Sequence, residues 1–353
     1  MKQSLKEQDQ DIINHWYIVA LDHEVPVDHP MVRTIYDTPY VLFRNEEGKI
    51  TVMVDKCAHR GAQLSKGTCE KGQLRCPYHG WKYDGQGQVC EVPSEGPDAG
   101  DSLKRRQWKG FTVPTFQKDS CVWIWPGDPA LATSEPPWNF PEFGNPKASK
   151  YFMLTDFDNE VSPLVQNFMD VPHTVFVHSK WFRNRSFLKI PVKIDVMAGT
   201  VKVTYEQPKD TIGFIEAILN PKKEPMLHTD EYIFPNITRV DYKFGKYFFI
   251  INSQCTPVTR YKTRVYTWIA FYVGPFTKIL KPFMQFYTRQ VIEQDVEIMD
   301  NHGQNLKVFG EFEYKSTPAD ELHIAIDKMR AAGAQDRQSP AKMEYSRERD
   351  FWI

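Results

Sequence analysis

Hydrophobic and polar positions along the chain divide it into two parts with different periodicity. In the first part, short β-branched or aromatic runs at 16–20, 39–44 and 49–55 predict strands. Residues 45–48 lie between two of these runs and predict a hairpin turn, and the run at 122–129 predicts a last strand. The first part is therefore predicted to be all-β.

The second part mixes strands and helices. Several runs between about 190 and 275 are rich in β-branched and aromatic residues and predict a large antiparallel sheet. Helices are predicted at 162–179, where Ser162-Pro163 is typical of a helix start, and at 280–300 and 319–332. Strands followed by helices indicate an α+β domain.

A proline-rich stretch separates the two parts. Residues 129–150 contain five prolines and show little periodicity, which is typical of a connection between domains. We therefore expect a first domain at 10–128, a linker at 129–150 and a second domain at 151–353.

Composition and charge exclude several classes of protein. Hydrophobic residues make up 41% and charged residues 25%, as in ordinary globular proteins. A formal net charge of -1 gives no basic field for nucleic acid. No apolar run approaches the ~20 residues that span a bilayer. The charged first residues do not resemble a secretory signal, so a cytoplasmic location is expected.

Four of the six cysteines lie close together, between residues 57 and 90. In a long cytosolic chain, clustered cysteines near histidines indicate a metal site before a disulfide. Cys69, Cys90, Cys121 and Cys255 stand outside any such pattern, and we expect them to be plain buried thiols.

Two short segments each offer one thiolate and one imidazole: Cys57-Ala-His59-Arg-Gly61 and Cys76-Pro-Tyr-His79-Gly80. A Cys2His2 zinc site is one interpretation. The other is a Rieske cluster, in which two thiolates hold one iron and two imidazoles the other. The pairing of Cys with His differs from the usual zinc-finger order, and each segment ends in a glycine that lets backbone N–H groups approach sulfide. The pattern favours the cluster.

A second candidate metal site follows in the segment from Asn167 to His178, which also contains Asp170 and His173. On an ideal helix the two imidazoles would point roughly 140° apart and could not share an ion. Pro172 removes a helical hydrogen bond, and a local kink or wide turn there could bring the imidazoles together. Two ordinary core histidines remain the alternative interpretation.

Two histidines need a carboxylate to complete a facial iron site. The predicted helix at 280–300 offers Glu293, Asp295 and Glu297. Asp295 adjoins the apolar stripe of that helix and is the best placed of the three to face inward.

These motifs together carry a family resemblance. The pattern C-x-H-x16-C-x-x-H, followed by N-x-x-D-x-x-H-x4-H, resembles the Rieske non-haem iron oxygenases, terminal α-subunit type. The likeness runs from Trp16 to the helix near Asp295. The stretch from Tyr287 to Asn305 looks most like the single-subunit branch of that family.

The resemblance implies a small all-β Rieske domain followed by a helix-grip catalytic domain, an antiparallel sheet with helices. It implies that the cluster and iron ligands are Cys57, His59, Cys76, His79, His173, His178 and Asp295. Asp170 would connect the two centres, and Asn167 would sit near the iron without tightly ligating it. The usual assembly is a homotrimer.

The activity implied by the resemblance is O2-dependent oxidation of a small, ring-containing substrate at Fe(II). Electrons from NAD(P)H would arrive through a ferredoxin, a flavin reductase or both, and enter at the [2Fe–2S] cluster. Hydroxylation or oxidative dealkylation is the first interpretation, and ring dihydroxylation is the second. The third is an electron-transfer protein with a non-catalytic second domain. Pocket candidates lie within 200–270 and at Phe283, Phe286 and Tyr287.

Overall fold

The computed structural model describes residues 12–134, 136, 138–179, 181–182, 188–205, 212–213, 215–310 and 314–352. The chain divides into two compact units. One comprises Ile13–Trp138, and the other begins at Asn139 and continues towards the C-terminus.

Within its described residues, the first unit consists of three small antiparallel sheets, one short α-helix and a few single 3-10 turns. Its elements are β1 (Tyr17–Leu21), β2 (Met31–Ile35), β3 (Thr38–Arg44), β4 (Ile50–Val54), β5 (Thr68–Glu70), β6 (Gln73–Arg75), β7 (Lys82–Tyr83), β8 (Val89–Glu91), α1 (Gly100–Arg106), β9 (Thr115–Lys118) and β10 (Cys121–Ile124). The sheet orders are β1-β10-β9, β2-β3-β4 and β5-β6-β7-β8. The predicted strands at 16–20, 39–44 and 49–55 are thus confirmed, each to within one residue.

Side chains from two of these sheets share one core. Val41 and Phe43 of β3 pack with Leu74 of β6 and Tyr83 of β7, all fully buried. Cys57 and Cys76 belong to the same cluster of buried residues. The core therefore fixes the two loops that carry the first motif.

The second unit is built around one eight-stranded antiparallel sheet. Its strands are β11 (Ser149–Phe157), β12 (Lys189–Met197), β13 (Thr200–Tyr205), β14 (Met226–Ile233), β15 (Ile237–Phe244), β16 (Tyr247–Thr259), β17 (Lys262–Tyr272) and β18 (Tyr345–Trp352). The order is β11-β17-β16-β15-β14-β13-β12-β18. The predicted antiparallel sheet is confirmed, and β11 and β18 are strands that the sequence reading did not anticipate.

Six α-helices accompany this sheet within the described residues. They are α2 (Val161–Asn167), α3 (Thr174–Val177), α4 (Ile215–Leu219), α5 (Lys281–Phe309), α6 (Glu321–Gln335) and α7 (Ser339–Lys342). The α+β class predicted from the sequence is confirmed.

The long helix α5 buries one stripe of side chains. Met284, Ile292, Asp295 and Met299 recur at the three- and four-residue spacing of one helix face. Further along the same face, a Cβ at Gly303 would lie 2.0 Å from the backbone oxygen of Asp158. The glycine lets α5 approach the chain just after β11, which fixes the depth at which Asp295 enters the unit.

Candidate metal centres

The two Cys/His loops of the first unit have equivalent backbones. In each, the glycine four residues after the cysteine donates its N–H to the cysteine carbonyl: Gly61 to Cys57 at 2.9 Å and Gly80 to Cys76 at 3.2 Å. Both glycines have positive φ, at 75° and 73°, which an L side chain rarely adopts. This tight turn of the backbone keeps each cysteine buried, while the histidine side chain projects from the turn.

The imidazoles of the two loops face each other. The ring centroids of His59 and His79 are 4.6 Å apart, and the indole of Trp81 stacks on His59 at 4.6 Å. Nδ1 of His59 is buried and has no hydrogen-bond partner among the described residues. A buried polar atom is costly without a partner, so this nitrogen suits a metal ligand.

The two thiols are buried beside each other. Burial and the neighbouring Cys57 raise the pKa of the Cys76 thiol, although backbone N–H groups oppose the rise. The hydroxyl of Tyr83 lies 3.1 Å from Cys57 Sγ and accepts the Ala58 N–H at 3.0 Å. Thiolates here therefore need a positive partner, which a bound metal ion would supply.

The second motif is not one continuous helix. Helix α2 ends at Asn167, a turn containing Asp170 and Pro172 follows, and α3 begins only at Thr174. His173 and His178 flank α3 as its two cap residues. The break at Pro172 thus lets both imidazoles turn towards the same point, where α5 presents Asp295.

Three ligand atoms form a nearly equilateral triangle. His173 Nε2 lies 3.4 Å from His178 Nε2, and Asp295 Oδ1 lies 3.5 and 3.2 Å from these nitrogens. The centre of such a triangle lies about 2 Å from each of the three atoms, the usual metal distance for nitrogen and oxygen ligands. Two imidazoles and one carboxylate on one face are the donor set of non-haem Fe(II).

Neighbouring amides orient two of the ligands. Gln294 Oε1 lies 2.8 Å from His178 Nδ1, so that nitrogen carries the proton and Nε2 keeps its lone pair for a metal. Asn167 donates from Nδ2 to Asp295 Oδ1 at 3.0 Å. Gln294 is a functional candidate that the motif reading missed, because only its position beside Asp295 in the sequence hints at it.

Asp170 occupies the far side of His173. Its Oδ2 lies 3.5 Å from His173 Nδ1, longer than a strong hydrogen bond but within electrostatic reach. Burial lowers the pKa of His173, but Asp170 and Asp295 outweigh burial and raise it to about 9. Burial likewise opposes ionisation of Asp295, yet the two imidazoles hold its pKa far below its usual value.

The alternative carboxylates on α5 face away from this site. Asp295 is 6% exposed and lies in the buried stripe, whereas Glu293 and Glu297 are exposed. A shift of two residues along a helix turns a side chain by about 200°, so neither glutamate shares the face of Asp295.

A cavity of about 120 Å³ opens beside the triangle. Its wall includes the three ligands and Asn167, together with apolar residues of β15, β16 and β17. Of the expected pocket aromatics, Tyr287 lines this cavity, whereas Phe283 and Phe286 are 38% and 58% exposed on α5. Their larger exposure follows from their place on the outer face of the helix.

Comparison with known families accounts for both halves of the chain. Residues 15–117 match the Rieske [2Fe–2S] domain, and residues 158–342 match the vanillate O-demethylase oxygenase C-terminal domain. The second match alone covers more than half of the chain. The chain belongs to the Rieske oxygenase family. The resemblance drawn from the motifs is confirmed, and with it the expected cofactors, a [2Fe–2S] cluster and a non-haem iron.

Relatives of this Rieske oxygenase include two bacterial proteins. The dicamba O-demethylase oxygenase component of Stenotrophomonas maltophilia is 35% identical over 207 residues, 58% of each chain. The iron-sulfur subunit of the toluene-4-sulfonate monooxygenase system of Comamonas testosteroni is 28% identical over 55% of this chain and 54% of that protein. The chain thus spans little more than half the length of these relatives.

Solved structures of the family share the fold. Dicamba monooxygenase bound to dicamba superposes with a TM-score of 0.77 at 23% identity, covering 92% of this chain and 98% of that one. A caffeine-bound Pseudomonas putida protein, NdmA, superposes with a TM-score of 0.76 at 18% identity. In the described part of this Rieske oxygenase, no helix has the length and hydropathy needed to cross a membrane.

Proposed function

We propose that this chain is the terminal oxygenase component of a Rieske system and that it hydroxylates or oxidatively dealkylates a small, ring-containing substrate. One observation carries the proposal: His173, His178 and Asp295 bring three ligand atoms within 4.8 Å of one another in the wall of a largely apolar cavity. An ion held there would have protein on one face and the cavity on the other.

We assign the ligands as the geometry suggests. Cys57, His59, Cys76 and His79 would hold the [2Fe–2S] cluster in a first domain at 10–128. His173, His178 and Asp295 would hold Fe(II) in a second domain at 151–353, with 129–150 as the linker. When bound, the two centres supply single electrons and the activation of O2.

The protein's own residues prepare this chemistry. Gln294 fixes the tautomer of His178, and Asn167 holds the carboxylate of Asp295 without being a ligand itself. Apolar side chains of the sheet exclude water from the cavity, which protects reactive species and strengthens local electrostatics. The names of the two bacterial relatives, an O-demethylase and a monooxygenase, favour this activity over ring dihydroxylation.

We further propose that Asp170 links the two centres across a subunit boundary in a homotrimer. Asp170 lies beside His173 and also lines a wider groove with Gln166 and Asn305, so its carboxylate is accessible from outside the cavity. A carboxylate that accepts imidazole N–H groups from both centres would couple them. Electrons would come from NAD(P)H through a flavin reductase, a ferredoxin or both.

We place the protein in the cytoplasm, where NAD(P)H is available. Its six cysteines are unpaired thiols, as expected in a reducing compartment. The remaining interpretation, an electron-transfer protein with a non-catalytic second domain, leaves the convergence of His173, His178 and Asp295 without a use.

Turnover tests the proposed activity. The purified protein, a flavin reductase, a ferredoxin and NADH are incubated under 18O2 with one-ring methyl ethers and methylated arenes. We expect substrate-stimulated O2 uptake, with formaldehyde or labelled alcohol as product. Asp295→Ala should abolish product, whereas Glu293→Ala on the outer face of α5 should retain it. Equal activity of both variants would contradict the assignment of the site.

Mixed oligomers test the role of Asp170. Cys57→Ala lacks the cluster and His173→Ala lacks the iron, so each is inactive alone. Co-assembled, they should regain part of the activity, because some interfaces pair an intact cluster with an intact iron. The same mixture carrying Asp170→Asn should stay inactive. Verified mixed oligomers without recovered activity would show that the electron travels within one chain.

A further inference from the structure

The sheet presents ordered rows of side chains to the cavity. Strand pairing places Thr238, Ser253 and Thr267 side by side on β15, β16 and β17. The next row in the same direction is Val240, Ile251 and Ile269, and both rows line the cavity. Alternate residues of a strand point to the same face, so the wall has a hydroxyl row beside an apolar row.

The apolar row ends in a buried acid. Asp230 on β14 pairs with Val240, is 2% exposed and lines the cavity. Its Oδ1 lies 3.0 Å from His228 Nε2, and its Oδ2 accepts the hydroxyl of Tyr205 at 2.8 Å. Each carboxylate oxygen can accept a second bond, so Asp230 retains acceptor capacity.

His228 supports Asp230 from behind and is not itself part of the cavity wall. Its ring is stacked between Tyr205 at 4.1 Å and Tyr242 at 4.4 Å. The group that meets a ligand at this end is therefore an oxygen acceptor held rigidly by an imidazole and a phenol. No mechanistic step assigned above uses it.

The cavity offers little to an anion. Among the described residues that line it there is no Lys or Arg. Its basic groups are His173 and His178, which are assigned to the iron, and Asp230 adds negative charge. A buried carboxylate or sulfonate needs a cationic or multiple N–H partner, and would here meet an acid instead.

The distance between the polar groups of the cavity wall limits the size of the ligand. Asp230 and Thr238 occupy diagonal positions on paired strands, which are about 7–8 Å apart. A cavity of about 120 Å³ is comparable to an engineered one of about 150 Å³ that holds benzene. One ring with a polar group at each end spans this distance.

We infer that the substrate is an uncharged one-ring molecule that donates a hydrogen bond to Asp230 and accepts one from the hydroxyl row of Thr238, Ser253 and Thr267. Aromatic acids should bind far more weakly, because Asp230 opposes an anion and the described residues of the cavity wall include no Lys or Arg. The inference rests on the proposed function, because it names the substrate class of the same cavity.

Three matched probes test it by anaerobic calorimetry on the iron-loaded protein. They share one ring and one acetyl group: 4-hydroxyacetophenone has a donor, 4-methoxyacetophenone has none, and 4-acetylbenzoate is an anion. We expect the phenol, at a pH where it is neutral, to bind at least tenfold tighter than the ether. The acid should bind at least a hundredfold more weakly than the phenol.

Two variants test whether Asp230 causes the difference in affinity between the phenol and the acid. Asp230→Asn removes the charge with little change of shape and should reduce the discrimination against the acid at least tenfold. Asp241→Asn removes a buried carboxylate from the same sheet, on β15 next to Val240, where Arg239 and Lys243 pair with it. The Asp241→Asn variant should keep the wild-type ratio of phenol to acid affinity. Melting curves and cluster spectra verify that both variants fold.

Three results would overturn the inference: binding of the acid as tight as that of the phenol, an unchanged ratio of phenol to acid affinity in Asp230→Asn, or no binding of any probe. These outcomes are distinct from failure of the proposed function. Iron content and cluster spectrum of the same preparation report on the metal centres, whether or not the probes bind.

Discussion

The two metal centres of this chain are built in opposite ways. The first uses two short loops with matching backbones, and its four candidate ligands fall within Cys57–His79. The second joins His173 and His178 to Asp295, more than one hundred residues later, through the packing of α5. The first site is therefore a property of local chain geometry, and the second is a property of the fold.

The candidate ligands of the two centres also differ in their exposure to solvent. His79 is exposed and His59 half-buried, whereas His178 is 3% exposed and Asp295 6%. A centre that exchanges electrons with partners benefits from exposed ligands. A centre that handles O2 and an organic ring needs a dry cavity. Perturbing either centre should therefore leave the other intact.

The largest effect is expected at the first centre. Cys57→Ala removes one thiolate from a buried position, so the whole [2Fe–2S] cluster should be lost while mononuclear iron binding remains. The check is the low-average-g EPR signal of mixed His/Cys ligation in the reduced protein. Cys69→Ala is the control, because this half-buried cysteine lies outside both loops. Loss of the signal in both variants would contradict the ligand assignment.

A smaller effect is expected around the second centre. Asn167→Ala or Gln294→Ala should weaken Fe(II) binding by about 10–100-fold, the usual effect of removing a group that orients a ligand. Anaerobic Fe(II) titration measures the affinity. The control is Gln290→Ala, one helical turn before Gln294, which removes only a surface contact to Glu293. It should leave the Fe(II) affinity unchanged. Equal affinities in all these variants would show that the amides do not orient the ligands.

The smallest effect is a pH dependence of iron binding. Without metal, His173 has a pKa raised to about 9 and is protonated at neutral pH. Iron must displace that proton, so affinity should rise by up to about tenfold per pH unit and level off near pH 9. Asp170→Asn removes one cause of the raised pKa and should flatten the curve. An Fe(II) affinity that decreases from pH 6.5 to pH 8.5 would contradict this expectation.

The same proton affects the stability of the iron-free protein. The pKa of His173 is raised by folding, so its contribution is fully present below the ordinary value of about 6.5. The contribution is lost as pH rises through about 9. Thermal unfolding of the iron-free protein at pH 6 and pH 9 gives this difference, with His173→Gln as the control.

The difference between the two centres also explains what the sequence could predict. The Cys57 and Cys76 loops are local, and short motifs specify their turns through Gly61 and Gly80. The alternating strands of the large sheet were predicted for the same reason, since period-two alternation is a local pattern. Strand β18, with five of its eight residues exposed and four of the eight charged, carries no such pattern.

Contacts between residues that are far apart in the sequence were harder to predict. The choice of Asp295 over Glu293 and Glu297 could be argued from the apolar stripe of α5. That the two histidines share an ion with it was a hypothesis from ligand chemistry and the family resemblance, because the sequence alone does not show how the helices pack. Gln294 and Asp230 have no motif at all. Their roles follow from side-chain directions across separate elements, which a single sequence does not contain.

The most direct test of the account is iron content per chain. The wild-type protein should contain three iron atoms per chain, two in the cluster and one mononuclear. Asp295→Ala should contain two, with an unchanged cluster EPR signal, and Glu293→Ala should contain three. Three irons in Asp295→Ala, or two in the anaerobically reconstituted wild type, would contradict the claim that His173, His178 and Asp295 together hold a catalytic iron.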